Sequence, residues 1–447
     1  MTRTIEEFVC LGILCGASTC VGQGMYMATD LGKLPYAFGS GAVAVNDSGR
    51  IVGYSESPDW HSIAVVWAQP GSQPLPIVPS SYSAVNSWAA AINSSGQIVG
   101  YFTDRSGQEW PYLYNSNSGV FEVIGSNVDL HGGATGINQK GTVVGVSGRV
   151  FTYDGTTVTL LPPFRPFLGT WAFAINDFGD LAGQAASEMT GSDVLAVIYN
   201  AAMSGWIGFA LPSTFDSGLE SINDYGWAVG FWLDVVHGVD YPLVARKNGS
   251  ATVLTHSGSL NAVNDAGMAL GGTFAYDIPS NTWIDLNTRI VNPGVIGLAY
   301  ANGISSDGRI VGVGNVNLPG GVHEQHALLL TPTPLYEATV QPPFNADGSS
   351  EFKANRGTLP VKFTLTENGS STCTLPQASI SVLRTSGATG SVDVSTYQTP
   401  ADNGSNFRTD GCQYTYILGT KGLGAGDYRV DIIVNWNIVG SGEFALK

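Results

Sequence analysis

The sequence predicts an all-β protein: seven copies of one unit closed as a seven-bladed β-propeller, followed by a small β-sandwich. Three observations carry this prediction. One motif recurs seven times with unvarying internal spacing. Short alternating apolar segments follow each copy, enough for four strands per unit. The composition, with 58 glycines and only 12% charged residues, suits many short strands joined by tight turns.

The elements follow in chain order. Residues 8–17 are apolar and residues 17–24 are mostly small, the pattern of a cleaved export leader, so residues 1–24 are expected to be a signal peptide. The stretch is too short to anchor the chain across a bilayer, and no other segment approaches transmembrane length. Cys10, Cys15 and Cys20 lie in this leader, which leaves Cys373 and Cys412 as one expected disulfide in an oxidising compartment. The expected location is therefore secreted, extracellular or cell-surface.

The repeat domain is expected over residues 25–331. The segment AVAVNDSGRIVGYS, residues 42–55, returns from Ala89, Ala134, Ala172, Leu219, Leu260 and Ala301. The paired glycines are Gly49/Gly53, Gly96/Gly100, Gly141/Gly145, Gly179/Gly183, Gly226/Gly230, Gly267/Gly271 and Gly308/Gly312. Apolar alternation before and after each Asn-x-x-Gly marks two strands joined by a hairpin turn, in which Gly takes the left-handed conformation. The second Gly, inside the second strand, implies a bulge or a close backbone approach. Third segments such as residues 63–67 and fourth segments such as residues 282–286 complete each unit. The last unit lacks a fourth segment before Thr331-Pro332-Thr333-Pro334, while residues 26–32 form an unassigned one at the start. An N-terminal strand is thus expected to complete the last blade and hide both sheet edges.

These motifs resemble the HAF-repeat family of extracellular bacterial proteins. The Ala-x-x-Ile-Asn-x-x-Gly-x-x-Val-Gly element matches in all seven units, loosely at Ser305, and Asp30-Leu31-Gly32 and His326-Ala327-Leu328-Leu329 match its other two. The resemblance implies export and a propeller-like fold, and carries no settled activity.

Past the hinge at residues 332–335 the period stops. Residues 336–447 hold about seven alternating segments, a sandwich pattern. Leu359-Pro360-Val361-Lys362-Phe363, the two cysteines and Gly426-Asp427-Tyr428 resemble the PxKF-type Ig-like domain of exported bacterial proteins. In that resemblance Tyr428 takes a structural, tyrosine-corner position.

Thirty-five acidic against 19 basic residues give a net charge of −16 without any basic stripe, which argues against nucleic acid. The turns lack the Ser/Thr-x-Asp-x-Gly-x-x-Trp of sialidase-type propellers, and there is no nucleophile elbow, phosphate-cradling loop or cofactor motif. His323 and His326 have the wrong spacing for one strand face. Asp47, Asp177, Asp224, Asp265 and Asp307 read as turn formers rather than calcium ligands.

The expected function is a non-enzymatic binding scaffold for an extracellular polysaccharide or protein. The alternatives are a polysaccharide-active hydrolase or lyase, and a structural or adhesive envelope component. Candidate binding residues lie on long loops: Trp60 in residues 57–61, Trp110 in 103–110, and Asp234, His237 and Tyr241 in 233–241. A second set is Trp88, Trp171 and Tyr300, five residues before their turn Asn or Ser, where the other repeats carry Gly or Ser. These three are expected either to rim the central channel as a ligand platform or to wedge between blades as packing.

Overall fold

The computed structural model describes residues 25–128, 130–187, 194–209, 211, 216–291, 295–318, 321–334, 336–345, 348–354, 357–376, 378–386, 390–392, 407–434 and 437–447. The predicted leader and its three cysteines lie outside the described residues. The chain divides into two compact units that part between Thr333 and Pro334, within residues 332–335. Among the described residues no helix is long and apolar enough to cross a membrane.

Successive groups of four antiparallel strands make up Tyr26–Thr333, and a single parallel bridge, Val194↔Asp216, joins the fourth and fifth groups into one eight-stranded sheet. The first holds Gly39–Val45, Ile51–Glu56, Ser62–Trp67 and Leu75–Pro76, and the second Asn86–Ile92, Gln97–Thr103, Glu109–Asn115 and Val120–Val123. The third holds Gly133–Ile137, Val143–Val146, Val150–Tyr153 and Val158–Leu160. In the fourth lie Gly169–Ile175, Leu181–Ala186, Val194–Asn200 and Gly205–Gly208. The fifth runs through Asp216–Ile222, Trp227–Asp234, Val239–Arg246 and Ala251–Val253. The sixth is Ala262–Val263, Met268–Gly271, Phe274–Asp277 and Thr282–Asp285. The seventh takes Val295–Ile304, Ile310–Leu318 and Val322–Pro332 from its own repeat, and its outer strand is Tyr26–Asp30, paired antiparallel from Tyr26↔Pro332 to Asp30↔Leu328.

The motif explains its own geometry. In the first turn Asn46 Oδ1 accepts the Arg50 N–H at 2.9 Å, and Gly49 occupies the left-handed region at φ 81°. The second glycine faces a carbonyl: a Cβ at Gly53 would lie 2.0 Å from Gly41 O, and one at Gly100 1.9 Å from Trp88 O. A bulge between Ala42 and Ala44 of the facing strand brings the chains this close, and the second sheet repeats it between Ala89 and Ala91. No side chain fits there, which is why this position never varies among the seven copies.

The core lies between sheets. Val52, Ala64 and Val66 of the first pack on Ala89, Ile98 and Tyr112 of the second, and comparable clusters join each sheet to the next. Val311, Ala327 and Leu329 of the seventh pack with Val45, Ile51 and Trp67 of the first. Full burial of each Leu, Ile or Val contributes about 1.5–3 kcal/mol, so stability resides in these inter-sheet layers rather than in single hairpins.

The second unit has two sheets over one core. Tyr336–Gln341, Thr358–Glu367, Ser370–Thr372, Arg408–Asp410 and Gln413–Gly419 form one, and Ser350–Phe352, Ala378–Arg384, Gly390–Val392, Gly426–Val434 and Asn437–Leu446 the other. Alternate residues Val361, Phe363 and Leu365 meet Ile380, Val430, Ile432 and Phe444, the period of two that the sequence carries. Ten strands are described where alternation indicates about seven, because three-residue edge strands are too short to show a period. Cys373 and Cys412 form the disulfide, and Tyr428 Oη donates to Gly424 O at 2.8 Å.

Candidate binding groove

A concavity of about 1050 Å³ opens between the outer strands of the second and third sheets. One wall starts from the loop between Gln97–Thr103 and Glu109–Asn115. Asp104 organises this loop: its Oδ1 accepts from Ser106 N–H, Ser106 Oγ and Gln108 N–H at 2.8, 2.5 and 3.1 Å. Its Oδ2 accepts the Trp110 indole N–H at 2.9 Å. The hydrogen bonds from Ser106, then Trp110, hold the Asp104 carboxyl at about 2, so it is ionised at neutral pH. Trp110 is thereby held in the lining, its edge against His131 at 4.4 Å.

Tyr82 extends the aromatic wall, 5.4 Å from Phe102 and 5.1 Å from Phe121 between ring centres. Opposite stand Tyr153, Thr156, Thr157 and Leu160 of the third sheet. A hydrogen bond spans the two sheets: Tyr153 Oη donates to Glu122 Oε1 at 2.5 Å. Burial, then Glu122 itself, pushes the Tyr153 hydroxyl up to about 12. Ser126 and Asn127 add polar groups, and among the described residues the lining contains no Lys, Arg or His.

A second concavity, of about 610 Å³, is enclosed by the first strands of the repeats. Polar residues at the bulge position reach the neighbouring sheet: Thr135 Oγ1 donates to Ala172 O, Asn261 Nδ2 to Ala301 O and Asn302 Nδ2 to Ala42 O, at 2.8–2.9 Å. Glu220 occupies this position in the fifth sheet, and burial raises its pKa.

Below it the turn asparagines form a relay. Asn46, Asn93, Asn138, Asn176, Asn223 and Asn264 each donate Nδ2–H to the carbonyl of the next turn's Asn or Ser, at 2.9–3.1 Å. A second tier runs through the aspartates: Gln139, Asp177, Asp224 and Ser306 N–H donate to Asp177, Asp224, Asp265 and Asp47 carboxylates. These aspartates therefore link turns as well as form them, while Asp307 pairs with Arg309 at 2.9 Å. Among the described residues no group of three or more His, Cys, Asp or Glu could hold a metal ion.

The predicted site residues do not converge. Trp110 lines the groove and Trp88 the second concavity, the latter with its cross-strand partner Tyr101. Trp171 folds back over Gly169, where a Cβ would lie 2.3 Å from the ring, and is not among the residues lining that concavity. Tyr300 is likewise outside that lining and 59% exposed. The uneven alternation of tiny and large residues has a packing cause: the Tyr54 ring occupies the space over Gly41 and lies 5.1 Å from Trp88, and Phe231 fills the space over Gly218. Trp60 is 79% exposed with its edge on Phe38. Asp234 and His237 meet at 2.7 Å, and Tyr241 faces Trp232 at 5.8 Å, both away from the groove lining. His326 is buried between Asp30 and Glu324. The groove residues that sequence reasoning missed are Tyr82, Glu122 and Tyr153; Asp104 lay unremarked within a loop already singled out, and its Asp-x-Ser-Gly-x-x-Trp pattern was the available signal.

No family model matches the chain, and no curated protein matches it. Solved structures with some likeness include a prolyl endopeptidase, at 12% identity and a TM-score of 0.41, covering 75% of this chain and 55% of that one. Porphyromonas gingivalis dipeptidyl peptidase 4 follows at 9% identity and 0.39, covering 75% and 59%, so the chain spans little more than half the length of either peptidase. The SapL1 lectin, solved with alpha methyl fucoside, stands at 11% and 0.36, covering 58% of this chain and 98% of the lectin.

Proposed function

We propose that the repeat unit closes as a seven-bladed β-propeller, and that the chain is an exported, non-enzymatic recognition protein that binds saccharide in the groove between its second and third sheets. Closure is supported by the core shared between the seventh and first sheets and by the Asn302 bond to Ala42 O. Export is supported by the apolar segment at residues 8–17 and by the Cys373–Cys412 bridge. The second unit fits an Ig-like sandwich that serves as an accessory module.

The observation that carries the binding role is the Trp110 indole, fixed by Asp104 in the lining of a groove with further aromatic rings and hydroxyl and amide groups. Sugar rings need this mixture: a flat apolar surface under the C–H face and hydrogen-bonding groups at the edge. A glycan array with the purified protein, followed by titration of the hits against Trp110→Ala, tests the reading. Loss of about 1–3 kcal/mol in affinity is expected in a variant that stays folded, with some fall in melting temperature because Trp110 also packs against the core between the first and second sheets. Full affinity in the variant would overturn the groove assignment, and turnover of a hit would move the protein to the hydrolase or lyase alternative.

A further inference from the structure

The groove's charge narrows the ligand class. Among the described residues its lining holds two carboxylates, Asp104 and Glu122, and no basic side chain. They are not equivalent. Asp104 is saturated, with three donors on Oδ1 and the Trp110 indole on Oδ2. Glu122, a solvent-exposed side chain, accepts from Tyr153 through Oε1, and its Oε2 is open to a ligand at the groove wall. The Tyr153 side chain that fixes Oε1 is packed in the third sheet, so that sheet orients one oxygen of the carboxylate.

We infer that the groove selects a saccharide bearing a protonated amine, an amino sugar, with Glu122 Oε2 accepting from the ammonium and Trp110 supplying the ring contact. This rests on the groove being the saccharide site. Charge excludes the opposite class: an acidic saccharide would bring its carboxylate or sulfate beside two carboxylates with no cation to offset them, on a chain of net charge −16. A neutral sugar offers Glu122 Oε2 only an uncharged hydroxyl donor, whereas an ammonium makes a hydrogen bond between two opposite charges with it.

The test is calorimetric titration in mildly acidic buffer with three probes: a glucosamine oligomer, its fully N-acetylated counterpart and an oligogalacturonate. Each is run on the wild type, Glu122→Gln and Trp110→Ala. Glutamine keeps one acceptor oxygen for Tyr153 and replaces the charged Oε2 with an NH2 donor, which an ammonium cannot use. Expected is tightest binding of the glucosamine oligomer, reduced about tenfold or more by Glu122→Gln and also by Trp110→Ala, with no binding of the galacturonate. Equal or tighter binding of the acetylated oligomer, lost in Trp110→Ala but not in Glu122→Gln, would overturn the amino-sugar inference and leave the saccharide reading standing. Glucosamine binding that neither substitution changes would be general attraction to an acidic surface and would overturn the inference and the groove assignment together. Absence of binding by all three probes would overturn the inference.

Discussion

At the scale of single residues, the asparagines opening the repeat turns do two jobs with one side chain. The amide oxygen closes its own turn, and the amide nitrogen donates to the carbonyl of the next turn. Ser305 can do only the first: its Oγ accepts the Arg309 N–H at 3.0 Å, and it has no amide to reach onward. The seventh turn is tied to the first instead through Ser306 N–H on Asp47 Oδ1 and Arg309 on Asp47 O. Ser305→Asn should therefore add the missing link to Asn46 O and raise stability by about 0.5–1.5 kcal/mol, the net worth of one such bond. Chemical denaturation measures it; an unchanged or lower midpoint would mean that the seventh link has no room for the amide.

At the scale of elements, the strand Tyr26–Asp30 is held to Val322–Pro332 by ladder bonds and by one ionic cluster around the buried His326. His326 Nδ1 lies 2.9 Å from Asp30 Oδ1 and its Nε2 3.0 Å from Glu324 Oε2, with Lys33 also on Glu324. The bond to Asp30 raises the His326 pKa, burial opposes it, and Glu324 adds to the rise. Burial would raise Asp30, but His326 and the Gly32 N–H outweigh it and hold the carboxyl low; Lys33, then His326, does the same for Glu324. The signs define a window. The imidazolium's contribution is complete below its unfolded value of about 6.5 and is lost as pH rises through the elevated folded value. The carboxylates contribute above about 4 and lose that contribution as pH falls through their depressed values. Stability of the first unit should thus fall on the alkaline side of about pH 6.5, and His326→Gln should flatten that limb. Melting temperatures across pH decide it, and an equal alkaline slope in wild type and variant would remove the cluster from the account.

For the molecule as a whole, two design rules coexist. The repeat unit is stabilised by layers between like sheets, while the second unit adds a covalent tie across a separation of 39 residues. In the chain-entropy model a loop of that size is worth about 4 kcal/mol. Reduction, or the Cys373→Ser/Cys412→Ser double variant, should destabilise the 334–447 unit by about that amount. Denaturant titration with and without reductant checks this, and coincident curves would show that the bridge leaves the unfolded chain unconstrained.

The repeat, its strand-turn-strand grammar, the displaced N-terminal strand and the cysteine pair were open to reading because each is local chemistry. A left-handed glycine, an Asx turn and an alternating strand leave their mark within a few residues. Even the glycine at the second motif position announced a close approach, although the carbonyl it meets comes from the facing strand. The groove was not open to such reading. Asp104 and Trp110 are near neighbours in sequence, but Tyr82, Glu122 and Tyr153 come from separate turns and strands. The pairing of Tyr153 with Glu122 exists only because two sheets pack at one spacing. The same cause dispersed the aromatic trio. Trp88, Trp171 and Tyr300 share a repeat position, yet their surroundings differ, with Tyr54 against Trp88 and Gly169 beneath the Trp171 ring. Equivalence along the chain sets the backbone, whereas side-chain placement depends on neighbours that the repeat does not specify.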